Sequence, residues 1–371
     1  MKIGIITLSI NNNYGGILQA YALQTILKCL GHEVVTLKIE CRYGYFKRII
    51  KYPLSLLKRI INKYLFRKRI SVFREKKYKK ELSITSQHTE LFINNNIARL
   101  NYKDFYHIHE TDFNCFVVGS DQVWRPKYSF DLYNSYLKFA KRWSVLRIAY
   151  AVSFGTDVWE YSKKQTKVCR KLMEKFNSVS VREASGVKLC GEYFNKEAVH
   201  VLDPTMLLCK ENYISLFEKN HTPKSPGNLL VYILDEDKEK QLYIDTIADR
   251  KQLKPFRVNS RVENPNAPME ERIQPPVENW LRGFYDAEFV ITDSFHGCVF
   301  SILFNKPFIA IGNVKRGLSR FYSLLSMFGL DDRLVTDLSV YPEGEIDYIV
   351  VNRHLDQLRN KSMKFLRDAM N

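Results

Sequence analysis

The stretch FVITDSFHGC at 289–298 sets an Asp, a Ser and a His within four residues at the end of an apolar run. A buried strand over Phe289–Thr292 that turns through Asp293 and Ser294 into a helix opening at His296-Gly297 leaves the imidazole beside unpaired backbone N–H groups. That position suits a phosphate or carboxylate and disfavours imidazolium until an anion arrives. A histidine held this way can give or take a proton once a phosphorylated substrate binds. His296 and Asp293 are therefore the catalytic candidates, with Ser294 and Gly297 beside the anion. The structural alternative, a His capping a strand-to-helix turn, fits a lone His better than this cluster.

Lys315, Arg316 and Arg320, interleaved with Gly312 and Gly317, follow the next apolar run and resemble an anion clamp. Arg182 ends a strand over Ser178–Val181 and faces the same region from the first half of the chain. Taken singly, each reads equally well as a surface charge. The loop Asn11-Asn12-Asn13-Tyr14-Gly15-Gly16 opens the first helix. It is neither GxGxxG nor a P-loop, so neither a nicotinamide cofactor nor ATP is indicated. Asn13, Tyr14 and Gly15 offer amides and a phenol suited to a hydroxyl-rich ligand such as a sugar, the alternative being a capped turn. Ser120, Asp121 and Gln122, in the polar turn after a strand over Phe116–Val118, join them as acceptor-side candidates. No HExxH, GxSxG or paired-aspartate motif is present, and no metal-ligand set is expected. Asp235-Glu236-Asp237 reads as a solvated turn, and Asp203-Pro204-Thr205 as a turn that ends a strand.

These residues need a scaffold that brings strand ends together. Short apolar runs at Lys2–Leu8, Glu33–Ile39, Phe116–Val118, Ile148–Val152, Val179–Val181 and His200–Leu202 alternate with helical segments, the first over Ile17–Leu30 and stopped by Gly31. Runs of this kind, bounded by small or polar turns, imply a parallel sheet covered on both faces. HTPKSPGN at 221–228 reads as a linker. A second unit follows, with strands at Leu229–Leu234, Pro255–Val258, Phe289–Thr292 and Phe308–Ile311 and helices at Trp280–Asp286 and Val299–Phe304. The expected class is α/β: two doubly wound, Rossmann-like domains, 1–220 on the acceptor side and 221–351 on the donor side, facing a cleft. A terminal helix over 352–371 packs back on the first domain. Ligands in such sheets sit at the carboxyl ends of strands, where the polar turns converge.

A chain of 371 residues with 45% hydrophobic and 26% charged residues is long enough for two cores and excludes wholesale disorder. Seven scattered cysteines with no CxxC argue against zinc knuckles and for reduced, cytoplasmic thiols. The apolar start, MKIGIITLSI, is too short for a secretory core and reads as a strand. No run reaches the ~18 apolar residues of a membrane span. The net charge of +17 is local: residues 41–80 hold fifteen Lys/Arg and one acid. Tyr45, Phe46, Ile49, Ile50, Leu54, Leu56, Leu57, Ile60, Ile61, Tyr64, Leu65 and Phe66 recur there at mostly helical spacing, with a break near Pro53. A basic helical insertion at 42–80 lying on an anionic membrane surface is one reading. A solvated insertion covering the core is the other. Nucleic acid is not expected, because no binding motif accompanies the charge.

NNNYGGILQAYALQ (11–24), VVGSDQVW (117–124), SVREASG (180–186), VLDPT (201–205) and ITDSFHGCVFSILFNKPF (291–308) together resemble the polysaccharide pyruvyl transferases, in order and from residue 1 to about 330. The resemblance implies a GT-B-like fold. It also implies transfer of the pyruvyl group of phosphoenolpyruvate, a co-substrate rather than a resident cofactor, onto a sugar as a cyclic ketal with release of phosphate. It makes His296 the catalytic histidine and Arg182 a holder of donor phosphate or carboxylate, with Lys315 or Arg316 completing the donor pocket. The acceptor would be a lipid-linked precursor of a surface polysaccharide, exopolysaccharide or capsule, met by a cytoplasmic enzyme peripheral at the inner face of the membrane. The competing readings are a GT-B glycosyltransferase using a nucleotide sugar and a catalytically silent sugar-binding member.

Overall fold

The computed structural model describes residues 1–40, 53, 56–57, 59–62, 64–65, 74–129, 131–262, 264, 266–312 and 317–371. The apolar runs form two wholly parallel sheets. The first holds β1 (Lys2–Ile6), β2 (Glu33–Ile39), β3 (Arg99–Tyr102), β4 (Cys115–Gly119), β5 (Leu146–Val152), β6 (Ser178–Val181) and β7 (Val199–His200), in the order β3-β2-β1-β4-β5-β6-β7. The second holds β8 (Leu229–Tyr232), β9 (Pro255–Phe256), β10 (Phe289–Thr292), β11 (Phe308–Ile311) and β12 (Leu334–Val335), in the order β12-β11-β10-β8-β9. This is the expected pair of doubly wound sheets. Central strands such as β4, β8 and β10 are buried along their whole length, as strands covered by helices on both faces must be.

Strand order reverses between β1 and β4 in one sheet and between β8 and β10 in the other, which opens a crevice at the carboxyl ends of each. The two crevices face each other. Tyr14, at the start of the Tyr14–Cys29 helix after β1, stacks on Trp280 with ring centroids 5.5 Å apart. Its hydroxyl donates to the carbonyls of Val258 (3.1 Å) and Pro275 (2.8 Å) beyond the second sheet. Gln274 donates to the Asn12 carbonyl at 2.8 Å, and the Ala184 N–H donates to Ser323 Oγ at 3.1 Å. One apolar core runs from Ile3 and Leu23 through Tyr14 and Trp280 to Phe300, so the halves share buried surface rather than a wet seam.

The chain crosses between the halves twice. The Lys210–Lys219 helix sets Tyr213 against Phe300 (4.9 Å) and Phe217 against Tyr285 (5.3 Å), both under the second sheet. The Tyr348–Met370 helix begins where the Tyr348 hydroxyl meets the Lys306 carbonyl. It ends on the first sheet, where Ser362 Oγ accepts the Leu202 N–H at 3.0 Å and Phe365 lies 6.2 Å from Tyr150. Among the described residues no helix is long and apolar enough to cross a membrane.

Candidate functional site

His296 stands in the first turn of the Phe295–Leu303 helix that follows β10, and it is buried. That helix starts tight on its strand because Gly297 has no side chain. A Cβ there would lie 2.1 Å from Thr292 Oγ1, so this glycine serves the strand-to-helix turn rather than a ligand. The other side of the ring meets the start of the Tyr14–Cys29 helix. A Cβ on Gly15 would lie 2.0 Å from His296 Nδ1, so the glycine lets a helix of the first half press against the imidazole. Two helix N-termini, one from each half, thus converge on one histidine.

The carboxylate beside the ring belongs to Asp203, whose Oδ2 is 3.8 Å from His296 Nε2. Asp293, the sequence candidate, faces the other way. Its Oδ1 accepts the Leu234 N–H (2.7 Å), and its Oδ2 accepts the Asp235 N–H (3.2 Å) and Lys240 Nζ (2.9 Å). It ties β10 to the turn after β8. Ser294 is buried at the N-cap position, its N–H donating to Thr292 Oγ1 at 3.1 Å.

Asp203 belongs to a polar hub at the carboxyl ends of β4, β6 and β7. Arg182 donates from Nη1 to Asp203 Oδ2 (2.8 Å) and from Nη2 to Asp121 Oδ1 (3.0 Å). Ser120 Oγ donates to the same Asp203 oxygen at 3.2 Å, and Thr205 donates to the other through N–H (3.0 Å) and Oγ1 (2.7 Å). Next to Arg182, Glu183 gathers Ser153 Oγ (2.9 Å) and the N–H groups of Phe154 (2.7 Å) and Gly155 (3.1 Å). Phe295 presents its ring to two guanidinium groups, Arg182 at 4.6 Å and Arg320 at 5.5 Å.

Burial sets the protonation states. Withdrawal from water holds the His296 imidazole down at about 4; Asp203 opposes this and Arg182 reinforces it, so the ring is neutral near pH 7. Burial pushes the Asp121 and Asp203 carboxyls up, but Arg182 beside both, with His296 and the Thr205 donors at Asp203, brings each below its ordinary value. Burial raises Glu183 in spite of Arg182. Arg320, buried and near a second cation, is lowered to about 10.

Several sequence candidates take other tasks here. Tyr14 is fully buried, and its hydroxyl is spent on Val258 and Pro275, so it pins the halves together instead of facing a sugar. Asn13 caps its helix by accepting the Gly16 N–H at 3.3 Å. Ser120 and Asp121 are buried in the hub, Asp121 with φ near +60°. Gln122 Oε1 accepts from Arg125 Nη1 at 3.0 Å, and Arg125 pairs with Glu160 at 2.9 Å. Arg182 spends both terminal nitrogens on Asp203 and Asp121, and its buried Nε, 4.0 Å from Glu183 Oε2, makes no hydrogen bond. Lys315 and Arg316 lie outside the described residues. Just beyond them, Gly317 (φ +95°) comes so close to the first half that a Cβ would lie 2.0 Å from the Gly155 carbonyl oxygen. The sequence marks Asp203 only as part of a turn that ends a strand and gives no sign of Glu183; the signal for Asp203 is an acid closing an apolar strand run at a sheet's carboxyl edge. Among the described residues no three His, Cys, Asp or Glu side chains gather as a metal site.

A sequence model of the polysaccharide pyruvyl transferases matches residues 13–315, from the cap of the first helix to just short of Gly317. The chain belongs to the polysaccharide pyruvyl transferase family. The match takes in Gly15, the Asp121–Arg182–Asp203 hub and His296, so the features that surround the imidazole lie within the family's own span. This pyruvyl transferase family member has a GT-B-like fold. It is similar to UDP-GlcNAc 2-epimerase from Neisseria meningitidis, solved bound to UDP-GlcNAc, at 9% identity over 100% of this chain and 99% of that one, with a TM-score of 0.50. A glycosyltransferase from Rickettsia africae aligns at 10% identity over 100% and 96% of the two chains, with a TM-score of 0.49. Comparison with curated protein sequences finds no match.

Proposed function

We propose that the protein moves the pyruvyl unit of phosphoenolpyruvate onto a sugar of a lipid-linked surface-polysaccharide precursor, as a cyclic ketal, with release of phosphate. The observation that carries this reading is the neutral, buried imidazole of His296, set between Gly15 and Asp203 where two helix N-termini meet, in a chain of this family.

The chemistry needs a proton at C3 of the enol. Its arrival makes C2 electrophilic; one sugar hydroxyl adds there, phosphate leaves, and the adjacent hydroxyl closes the ring. Two hydroxyl protons are released, one balancing the proton given to C3 and one leaving with phosphate. His296 in its resting form is a proton acceptor. A phosphorylated, carboxylated donor beside it raises its proton affinity, and the proton it takes up is the one that C3 requires. Asp203 steadies the imidazolium. Arg320, with Lys315 or Arg316 shortly before it in the sequence, holds the donor's anionic groups, while Arg182 adds its field and keeps Asp203 in place. The reaction as written calls on no metal.

The competing donor is a nucleotide sugar, since the Neisseria epimerase of similar fold binds UDP-GlcNAc; that likeness concerns the fold alone. Incubation of the purified protein with phosphoenolpyruvate and a panel of lipid-linked sugars separates the readings. Phosphate release matched mole for mole by a product bearing one ketal-linked pyruvate supports pyruvyl transfer. Phosphoenolpyruvate left intact while a UDP-sugar is consumed supports the other donor.

A further inference from the structure

We propose that Asp121 is the general base of the transfer: its carboxylate takes the proton of the sugar hydroxyl that attacks C2 of the donor and passes it to the departing phosphate. This role rests on the pyruvyl transfer reading above and fills a place that His296 leaves open. His296 supplies a proton to the enol, whereas the attacking hydroxyl must lose one as its oxygen bonds to carbon.

One guanidinium places Asp121 at the reacting groups. Arg182 holds two carboxylates side by side, Asp203 through Nη1 at 2.8 Å and Asp121 through Nη2 at 3.0 Å. Asp203 stands against the imidazole, its Oδ2 3.8 Å from His296 Nε2. The same guanidinium lies 4.6 Å from the ring of Phe295, the residue before His296, and Arg320 lies 5.5 Å from that ring. Asp121 therefore borders the space that His296 and Arg320 share. Against the effect of burial, its charge raises the proton affinity of both.

The neighbouring carboxylates are committed elsewhere. Asp203 Oδ1 takes two donors from Thr205, and its Oδ2 takes Ser120 as well as Arg182. Glu183 Oε1 takes three donors, and its Oε2 is sealed from solvent. Asp121 spends Oδ1 on Arg182, with the Gln122 N–H beside the carboxylate, and no side chain among the described residues donates to Oδ2. Its side chain is 11% exposed, against 1% for Asp203 and 0% for Glu183. The backbone is also special. Asp121 holds φ +60° just past the carboxyl end of β4, where strand order reverses, and its carbonyl accepts the N–H groups of Val123 (2.8 Å) and Ser153 (3.0 Å). A left-handed residue other than glycine, fixed in this way by its surroundings, is a feature that clusters at functional sites.

The protons balance. As the first hydroxyl oxygen bonds to C2, its proton passes to Asp121 Oδ2. Burial disfavours the carboxylate, but Arg182 holds the group below its ordinary range, so the acid just formed gives up its proton readily. It gives that proton to the oxygen between C2 and phosphorus as the C2–O bond breaks and leaves its electron pair on phosphate. The second hydroxyl then bonds to C2, and its proton returns to His296, which had given its own to C3. Both groups end the cycle as they began it.

Asp121→Asn and Asp121→Gly test the role, since Asn and Gly both tolerate a left-handed backbone. Phosphate release from phosphoenolpyruvate with a fixed sugar acceptor is measured on variants matched for folded fraction by thermal melts. Turnover should fall roughly 10²–10⁴-fold in each, with the loss in kcat rather than in KM. Acetate, which replaces the atoms removed in Asp121→Gly, should restore at least about tenfold of the lost rate, formate less because it is the weaker base, and chloride none. An anion needed only to balance Arg182 would be replaced equally well by all three. Asp121→Asn keeps the shape of the side chain and an oxygen for Arg182, so it decides the matter if the glycine variant fails to fold. A loss smaller than about a hundredfold in well-folded Asp121→Asn overturns the role, as does rescue by chloride equal to that by acetate. Wild-type protein that forms no ketal from phosphoenolpyruvate sinks the transfer reading and this role with it, whereas an active wild type beside an unimpaired Asn variant removes Asp121 alone.

Discussion

Gly15→Ala adds one methyl group to the first turn of a helix, in a position where alanine is conformationally at ease. The strain it brings lies across the cleft. The new Cβ would stand 2.0 Å from His296 Nδ1 and 2.4 Å from its Cγ. Carbon and nitrogen in contact need about 3.5 Å, so the imidazole or the helix must retreat by about 1.5 Å. A displacement of about 1 Å at a reacting group costs on the order of 10² in rate. Turnover in Gly15→Ala should therefore fall at least about a hundredfold, close to 3 kcal/mol of transition-state stabilisation. The control is the neighbouring residue. A Cβ on Gly16 meets nothing nearer than the Asn13 side chain at 3.6 Å, an ordinary contact, so Gly16→Ala should keep wild-type turnover and a melting temperature at least as high. Phosphate release from phosphoenolpyruvate with a fixed acceptor is the assay, run on both variants after matching their folded fractions by thermal melts. Wild-type turnover in a well-folded Gly15→Ala protein would show that the imidazole's seat against this helix does not matter to the reaction.

Other changes test the remaining parts of the site. His296→Gln should lower turnover by roughly 10²–10⁴. It should also change the acid limb of stability. The native imidazole titrates at about 4 against an ordinary 6.5, so between those values the unfolded chain binds a proton that the native one refuses. Native stability then falls as pH drops through that window, by about 3 kcal/mol in all. Denaturant melts at pH 7, 5 and 4 should show a flatter fall in the Gln variant, and identical slopes would remove His296 as the cause. Arg182→Met leaves the buried Asp121 and Asp203 without their shared cation and should cost about 3–5 kcal/mol in urea unfolding; a loss below about 1 kcal/mol would contradict the hub. Tyr14→Phe removes a donor to two carbonyls and should cost about 1 kcal/mol with the acceptor KM unchanged. A tenfold rise in that KM at equal stability would put the phenol on the sugar after all.

Much of the fold is legible because buried parallel strands are short unbroken apolar runs. Glu33–Ile39, Phe289–Thr292 and Phe308–Ile311 read from sequence at their observed bounds. β3 escaped because it is an edge strand, RLNY, with Leu100 38% exposed and little apolar pattern to betray it. β12 is only two residues long. The Arg74–Thr85 helix starts inside the basic insertion that reads as helical and runs past its end, whereas Gln87–Asn96 is too rich in Asn and Gln to show an apolar pattern. The site divides the same way. His296 is visible because its turn is local. Asp203 is not, because its partners Arg182 and Ser120 are 21 and 83 residues away and the sequence nearby shows only a strand end before a proline. Tyr14 looks like a ligand group in its loop, and only carbonyls 244 and 261 residues further on reveal that it joins the two halves.

The most direct test of proton delivery from His296 to the enol of phosphoenolpyruvate is mass spectrometry of the product formed in deuterium oxide. The imidazole exchanges its proton with solvent, so the methyl group of each newly formed ketal should carry one deuterium, and formation of that labelled ketal should collapse in His296→Gln. A product whose methyl group is unlabelled, or a labelled ketal formed as fast by the Gln variant as by the wild-type protein, would contradict the account.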